Sequence, residues 1–348
     1  MLYKSIVRPL MFLMDPEKVH HLIVKILKVA FKIPLIGFFV SKWYTKCCKG
    51  LEKEFCGLRF KNPVGLAAGF DKDARFFDQM SKFGFGFIEI GTVTPKAQGG
   101  NPKPRIFRIK QDQALINRMG FNNLGVDHAV EQLKKRKPSD LIIGGNIGKN
   151  TATPNENAVD DYLYCFEKLY PWVDYFVVNV SCPNVSNLKA LQDHDSLLHI
   201  MQAIMNRRNA FDIKKPVLLK ISPDLNFDQV DDVLQIIQTT TTDGIVVANT
   251  TVTRDKLSIS EHKIKEIGNG GLSGAPLQKH STELIRYIHR KTNGQLPMIG
   301  SGGIIEPSDA LEKMEAGASL VQVYTGFIYY GPAIAKAINK MLLRKSRK

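Results

Sequence analysis

Eight short apolar runs, each followed by an amphipathic stretch, constrain this chain more than any other feature. They are Val64–Ala68, Phe87–Thr92, Leu141–Ile147, Tyr175–Ser181, Val217–Ser222, Gly244–Thr250, Met298–Gly303 and Leu320–Thr325. Helical patterns lie between them near 73–83, 123–136, 157–170, 194–209, 227–240, 280–292 and 307–316, with a last helix at 332–344. Strands that alternate with helices pair in parallel, and eight such units close on themselves. The expected fold class is therefore α/β, a (β/α)8 TIM barrel. A doubly wound sheet is disfavoured because no Gly-x-Gly-x-x-Gly follows the first run, and Gly300-Ser301-Gly302-Gly303 comes late with the wrong spacing. Residues 54–62 and 104–116 read as small hairpins added to the barrel.

Such a barrel uses ~250 residues, and the chain has 348. The surplus lies at the N-terminus, which divides the chain into an extension, 1–50, and a barrel domain, 51–348. Residues 2–14 and 16–33 read as two helices, with Asp15 as N-cap and Pro16 in the first turn. Val19, Leu22, Ile23, Ile26, Leu27 and Ala30 make an apolar stripe on the second, and Leu35–Tyr44 adds a third apolar piece. No run reaches the ~20 apolar residues of a membrane span, because lysines interrupt it. An amphipathic, lysine-bearing helical extension with interfacial aromatics is instead the pattern of a segment lying in a bilayer surface. A helical cap packed on the barrel is the compatible alternative.

The net charge of +15 supports that reading. Residues 1–50 carry nine bases against two acids, and the last thirteen carry six bases and no acid, so the long middle is nearly neutral. Basic ends on a neutral body fit an anionic surface. No basic patch with interleaved aromatics occurs in the barrel, so nucleic acid is not an expected partner. The basic tail, Lys340–Lys348, should point away from helices that cap the active-site end. The five cysteines form no Cys-x-x-Cys, and no carboxylate or histidine cluster suggests a metal. Lys4 and Arg8 are followed by Asp15 and Glu17 rather than an unbroken apolar core, so no secretory leader is expected and the compartment is reducing.

Function in this fold sits at the C-terminal ends of strands, and here those ends are uniformly polar. They carry Ala68-Gly69-Phe70-Asp71-Lys72, Thr92, Asn146, Asn179, Lys220, Asn249-Thr250, Gly302-Gly303 and Tyr324-Thr325. An isolated strand-end asparagine is an ordinary turn residue; eight polar ends together are not. Glycine amides after the last two strands make a phosphate cradle at Gly302, Gly303, Tyr324 and Thr325. Lys220, in an otherwise apolar run, would project towards whatever that phosphate anchors and could stabilise a reduced, anionic ring. The fourth run ends in Asn179-Val180-Ser181-Cys182-Pro183-Asn184, a thiol between two carboxamides. Such a site suits a planar, amide-rich substrate with a proton to remove.

These motifs together carry a resemblance. Ala67–Lys72 (AAGFDK), Glu89–Pro95 (EIGTVTP), Asn117–Gly125 (NRMGFNNLG), Asn146–Asn150 (NIGKN), Asn179–Asn184, Gly270–Pro276 (GGLSGAP) and Leu320–Gly326 (LVQVYTG) resemble the dihydroorotate dehydrogenase family, in order and over nearly the whole chain. The extension with Asp15-Pro16-Glu17 and His20 resembles its membrane-associated, quinone-dependent class. The resemblance implies an FMN enzyme of pyrimidine biosynthesis that oxidises dihydroorotate to orotate. A base removes the C5 proton, hydride passes from C6 to the flavin, and electrons leave to a membrane quinone, ubiquinone or menaquinone. Carried over by motif, FMN should contact Ala68, Gly69, Phe70, Asp71, Lys72, Thr92, Asn146, Asn179, Lys220, Ala248, Gly274, Gly303, Tyr324 and Thr325. Orotate should meet Lys72, Asn117, Arg118, Met119, Gly120, Phe121, Asn179, Asn184, Asn249 and Thr250, with Cys182 as base. His20, Arg108 and Tyr324 match positions along the quinone path. The implied protein is a monomer at the cytoplasmic face of a bacterial cell membrane, held there by residues 1–45.

Two positions depart from the pattern. The quinone-dependent class usually has serine where this chain has Cys182, and Ala248 stands where a threonine is common. Cysteine is the habit of the soluble classes, so a soluble enzyme using fumarate or NAD is the second reading, opposed by the apolar N-terminus. A flavin- or membrane-binding protein without catalysis is the third, opposed by the base, lysines and substrate asparagines all being present.

Overall fold

A computed structural model describes residues 2–45, 50–136, 139–181, 193–255 and 257–346. The barrel strands are β3 (Val64–Leu66), β4 (Phe87–Val93), β7 (Ile142–Ile147), β8 (Tyr175–Asn179), β9 (Val217–Lys220), β10 (Gly244–Val247), β12 (Met298–Ser301) and β13 (Leu320–Val323). Each pairs in parallel with the next, and β13 closes on β3 through Val321 opposite Val64. All eight expected strands are present, seven of them shorter than their apolar runs, while β4 continues one residue beyond its run to Val93. Thr92, Asn146, Asn179 and Lys220 stay within their strands, whereas the polar ends after β3, β10, β12 and β13 leave the ladder and form loops at the same barrel mouth.

Helices cover the outside: α4 (Phe77–Ser81), α5 (Val126–Leu133), α6 (Ala158–Leu169), α7 (His194–Asn209), α8 (Phe227–Thr240), α9 (Glu261–Ile267), α10 (Gln278–Lys291), α11 (Pro307–Glu315), α12 (Thr325–Tyr329) and α13 (Ile334–Lys345). Their buried faces and the outward strand residues form the main core, from Val64 and Ile143 to Ile285 and Ile338. A hairpin of β1 (Lys53–Phe55) and β2 (Leu58–Phe60) stoppers the opposite mouth. Phe55 and Phe60 pack there against Phe87, Tyr175, Leu218 and Ile299 from inside the barrel. Both loop residues, Cys56 and Gly57, have positive φ, the two-residue turn whose twist suits a hairpin.

A second hairpin, β5 (Ile106–Ile109) and β6 (Ala114–Asn117), gains a strand that sequence periodicity does not show. β11 (Gly271–Gly274) pairs antiparallel with β6 across 154 residues, Gly271 opposite Asn117. Two glycines in four positions give it no strand preference; the exposed edge of β6 makes it one.

The extension comprises a π-helical turn at Tyr3–Val7, α1 (Arg8–Met11), α2 (Pro16–Ala30) and α3 (Ile36–Thr45). The continuous first helix expected from sequence is broken in register before Pro9, which has no amide to donate to the preceding turn. α2 begins as expected, with the Asp15 carboxylate accepting from the amides of Glu17 (3.0 Å) and Lys18 (2.9 Å). Its apolar stripe, however, splits in two. Val19, Ile23 and Leu27 face inwards, whereas Leu22 and Ile26 remain exposed. Further exposed apolar side chains follow at Ile33, Leu35, Phe38, Phe39 and Trp43. No helix among the described residues is long and apolar enough to cross a membrane.

Candidate active site

The polar strand ends enclose a cavity of about 140 Å³ at the C-terminal mouth of the barrel. Seventeen of the expected site residues line it: Ala68, Gly69, Lys72, Thr92, Asn117, Met119, Gly120, Phe121, Asn179, Lys220, Ala248, Asn249, Thr250, Gly274, Gly303, Tyr324 and Thr325. Seven strand ends distant in sequence converge here, all but that of β7, because parallel strands deliver their C-terminal ends to one side.

A chain of amides runs up from the barrel interior. The buried Glu89 carboxylate accepts from Asn146 Nδ2 at 2.8 Å and from the Tyr175 hydroxyl and Gln322 Nε2. Asn146 Oδ1 then accepts from Thr92 Oγ1 at 2.5 Å and from Asn179 Nδ2 at 3.3 Å. Asn179 Oδ1 accepts from Asn249 Nδ2 at 3.2 Å, and Asn249 Nδ2 also reaches Ser181 Oγ at 3.1 Å. A carboxylate surrounded by donors orients the first amide, and each amide orients the next. The cavity thus presents polar groups whose direction is set from below.

Lys220 is only 6% exposed and lines the same cavity. No carboxylate or other hydrogen-bond acceptor among the described residues pairs with its ammonium. An unpaired buried cation is costly unless a ligand supplies the charge. After β12, two strands along the barrel from Lys220, the amides of Gly302 and Gly303 donate to no backbone carbonyl among the described residues. Their positive φ of 90° and 75° turns the loop against α10, where a Cβ on Gly303 would stand 2.2 Å from Gln278 Cα. Ser273 Oγ and Thr325 Oγ1 lie 2.8 Å apart beside this loop. The arrangement can hold an anion at one end and a planar, amide-edged group at the other.

Four expected contacts lie elsewhere. Asn146 is fully buried beneath Thr92 and orients it rather than lining the cavity. Arg118 turns away, donating to Ile267 O (2.7 Å) and Pro104 O (3.1 Å) and stacking over Phe107. Its neighbours in the sequence motif line the cavity, while its own side chain fastens the loop to α9. Phe70 and Asp71 face a different space. Asp71 accepts from the amides of Arg75 (2.7 Å) and Phe76 (2.9 Å), and burial raises its pKa to about 6. Cys182 and Asn184 lie outside the described residues. Ser273, Leu277 and Gln322 line the cavity without having been expected. Of these, only Gln322 carries a readable signal, as a lone carboxamide inside an apolar strand.

The different space is an apolar cavity of about 360 Å³ between the extension and the barrel. It runs past Phe12, Val19, Ile23, Phe76 and Ile328 and contains His20 and Arg108. Gly69, Lys72, Met119 and Tyr324 line both cavities, so a wall one residue thick separates them. His20 contacts the rings of Phe70 and Phe76, and burial, assisted by the charge of Lys72, lowers its pKa to about 4. Burial pushes the Tyr324 phenol up to about 12. Both groups are therefore neutral at pH 7. Arg108 donates to Met14 O at 2.8 Å and lies 4.7 Å from the Phe12 ring centre.

The chain matches the family model described as dihydroorotate dehydrogenase over residues 50–345. It is 52% identical over 345 residues to a protein of Christiangramia forsetii named dihydroorotate dehydrogenase (quinone), covering 99% of each chain. A protein of the same name from Neisseria meningitidis serogroup A is 44% identical over 341 residues, covering 97% of this chain and 98% of the relative. Among solved structures, DHODH of Eimeria tenella in complex with ferulenol superposes with a TM-score of 0.84 at 37% identity, covering 96% of this chain and 92% of that one.

Proposed function

The chain belongs to the dihydroorotate dehydrogenase family, and from that premise we propose that its two cavities are the two half-sites of a quinone-reducing enzyme. It is an oxidoreductase of pyrimidine biosynthesis that takes dihydroorotate to orotate with a quinone as acceptor. The observation that carries the two-site reading is the shared wall. A polar cavity and an apolar one meet at Gly69, Lys72, Met119 and Tyr324, so a polar ring and an apolar acceptor can be served without sharing a space.

The resident cofactor in this reading is FMN, which when bound supplies a two-electron acceptor that a quinone can reoxidise. The residues fit it. Lys220 is a buried cation without a partner among the described residues, and Gly302 and Gly303 offer amides without a backbone acceptor. Those amides, with Tyr324 and Thr325, would hold the phosphate. Thr92, Asn179 and Lys220 would hold the polar edge of the ring system, and Ala248 leaves that edge one side-chain hydrogen bond fewer. Lys72, which donates to Asn122 Oδ1 at 2.5 Å, would hold the substrate carboxylate from within the wall. Asn117, Asn249, Asn184 and Thr250 would satisfy the amide and carbonyl groups of the substrate ring. Leaving such groups unpaired in a closed site costs ~1–3 kcal/mol each, which selects a cyclic ureide. Cys182 would take the C5 proton.

The apolar cavity lies beneath α2, whose outer face exposes Leu22 and Ile26 beside lysines, and α3, which follows, exposes Phe38, Phe39 and Trp43. This supports peripheral contact through residues 1–45 with the cytoplasmic face of a bacterial membrane, the protein acting as a monomer and drawing ubiquinone or menaquinone from the bilayer. Steady-state oxidation of dihydroorotate tests the assignment. Turnover with a short-chain quinone should exceed turnover with fumarate or NAD, and the reverse order would move the enzyme to a soluble class.

A further inference from the structure

Lys313, on α11, is fully buried, yet no carboxylate among the described residues pairs with it. Its ammonium donates to Ser281 Oγ (2.6 Å), Thr282 Oγ1 (3.1 Å) and Gln278 O (3.5 Å), all neutral oxygens of α10. The carboxylates on its own helix are engaged elsewhere. Asp309 accepts from the amides of Ile305 and Glu306, and Glu312 accepts from the Gln278 side chain. A cation in such surroundings is costly, and burial lowers its pKa to about 7. Stability alone gives no reason to place an ionisable group there.

The hydrogen-bond directions supply one. An ammonium has only protons to offer, so Ser281 Oγ accepts from Lys313 and must direct its own hydrogen onward. That hydrogen faces three carbonyls, Leu277 O (2.8 Å), Gly302 O (3.0 Å) and Gln278 O (3.2 Å). The Gly302 carbonyl and the Gly303 N–H are two ends of one peptide group. Polarising the carbonyl makes the N–H a stronger donor, because successive hydrogen bonds reinforce one another in a low-dielectric interior. Gly302 and Gly303 line the same cavity as Lys220.

We propose that Lys313 is a positioning residue for the cofactor phosphate, its charge relayed through Ser281 into the Gly302–Gly303 peptide that cradles the phosphate. The inference rests on the reading of that loop as an FMN phosphate site. It assigns to a residue outside the cavity the work of a cation that the cradle lacks among the described residues.

Titration of the apoprotein with FMN and with riboflavin tests it, since riboflavin is the same ring system without phosphate. Wild type should bind FMN more tightly. Lys313→Met should weaken FMN about tenfold, the difference between a charge-assisted and a neutral hydrogen bond, and leave riboflavin binding unchanged. Ser281→Ala, which keeps the lysine, should weaken FMN in the same selective way and carries the test should Lys313→Met fail to fold. Equal weakening of both ligands would make Lys313 a brace between α10 and α11 and overturn the proposal, as would unchanged FMN affinity in the variants. Equal affinity of wild type for both ligands would instead remove the phosphate site itself, and the proposal with it.

Discussion

Arg105 grips Glu17 with two bonds, Nη2 to Oε1 at 2.7 Å and Nε to Oε2 at 3.2 Å, in a contact buried between the start of α2 and the β5–β6 hairpin. Lys103 adds a third charge 3.3 Å from Oε1. Burial works against the ionised form, but Arg105 and Lys103 outweigh it and hold the Glu17 carboxyl below its ordinary range. This pair fixes the extension over the apolar cavity, to which Glu17 itself belongs.

Breaking one partner of a buried pair costs about 3–5 kcal/mol, because the other charge is stranded. Arg105→Leu should therefore loosen the extension while the barrel stays folded. The quinone-dependent kcat/KM should fall, whereas single-turnover oxidation of dihydroorotate by the loaded enzyme should keep its rate. Equal losses in the two measurements would show that the extension and the barrel site are not separable.

His20 should make the protein acid-sensitive. Its pKa is about 4 when folded, against 6.5 for a free imidazole. Between those values the unfolded chain binds a proton that the folded one refuses, so stability is fully present above pH 6.5 and declines as pH falls towards 4. Each unit is worth about 1.4 kcal/mol, a total of ~3 kcal/mol. His20→Leu should flatten the stability curve over that window in urea denaturation. Asp71, with its raised pKa, acts in the opposite sense but is common to both proteins, so it cancels in the difference.

Lys220→Met should separate stability from binding. Replacing an unpaired buried ammonium with an apolar chain of similar size should raise apoprotein stability by about 1–3 kcal/mol. The thermal shift produced by FMN should shrink at the same time. A variant less stable as apoprotein would show that the ammonium is already compensated before FMN binds.

Cys182→Ser bears on the base. A free thiol ionises near pH ~8.5, far closer to neutrality than a hydroxyl. Oxidation of dihydroorotate in single turnovers should thus reach its plateau at lower pH in the native enzyme than in the variant. Superimposable profiles would make the cysteine equivalent to serine.

Much of this architecture was legible because its signals are local. Val177, Val178 and their counterparts in the other apolar runs mark strands by composition and length, and Asp15-Pro16 marks a helix start by the hydrogen bonds only those residue types can make or omit. Once eight strands are parallel, their polar ends must meet, so most of the cavity lining followed without coordinates. Side-chain direction did not. Arg118 and Met119 are neighbours in one motif, yet one turns to Ile267 and the other lines both cavities. Gly271–Gly274 is a strand only because β6 presents an open edge.

The sequence by itself therefore determined the barrel, the mouth that carries chemistry and the residue types gathered there, since each depends on the period of a short segment. Only the tertiary structure decided that Phe70 and Asp71 face the apolar cavity while Ala68 lines the polar one, that a single layer of residues divides two cavities, and that Lys313 lies behind the glycine loop. Those relations join residues far apart in the chain, and no local pattern encodes which of two faces a distant element will cover.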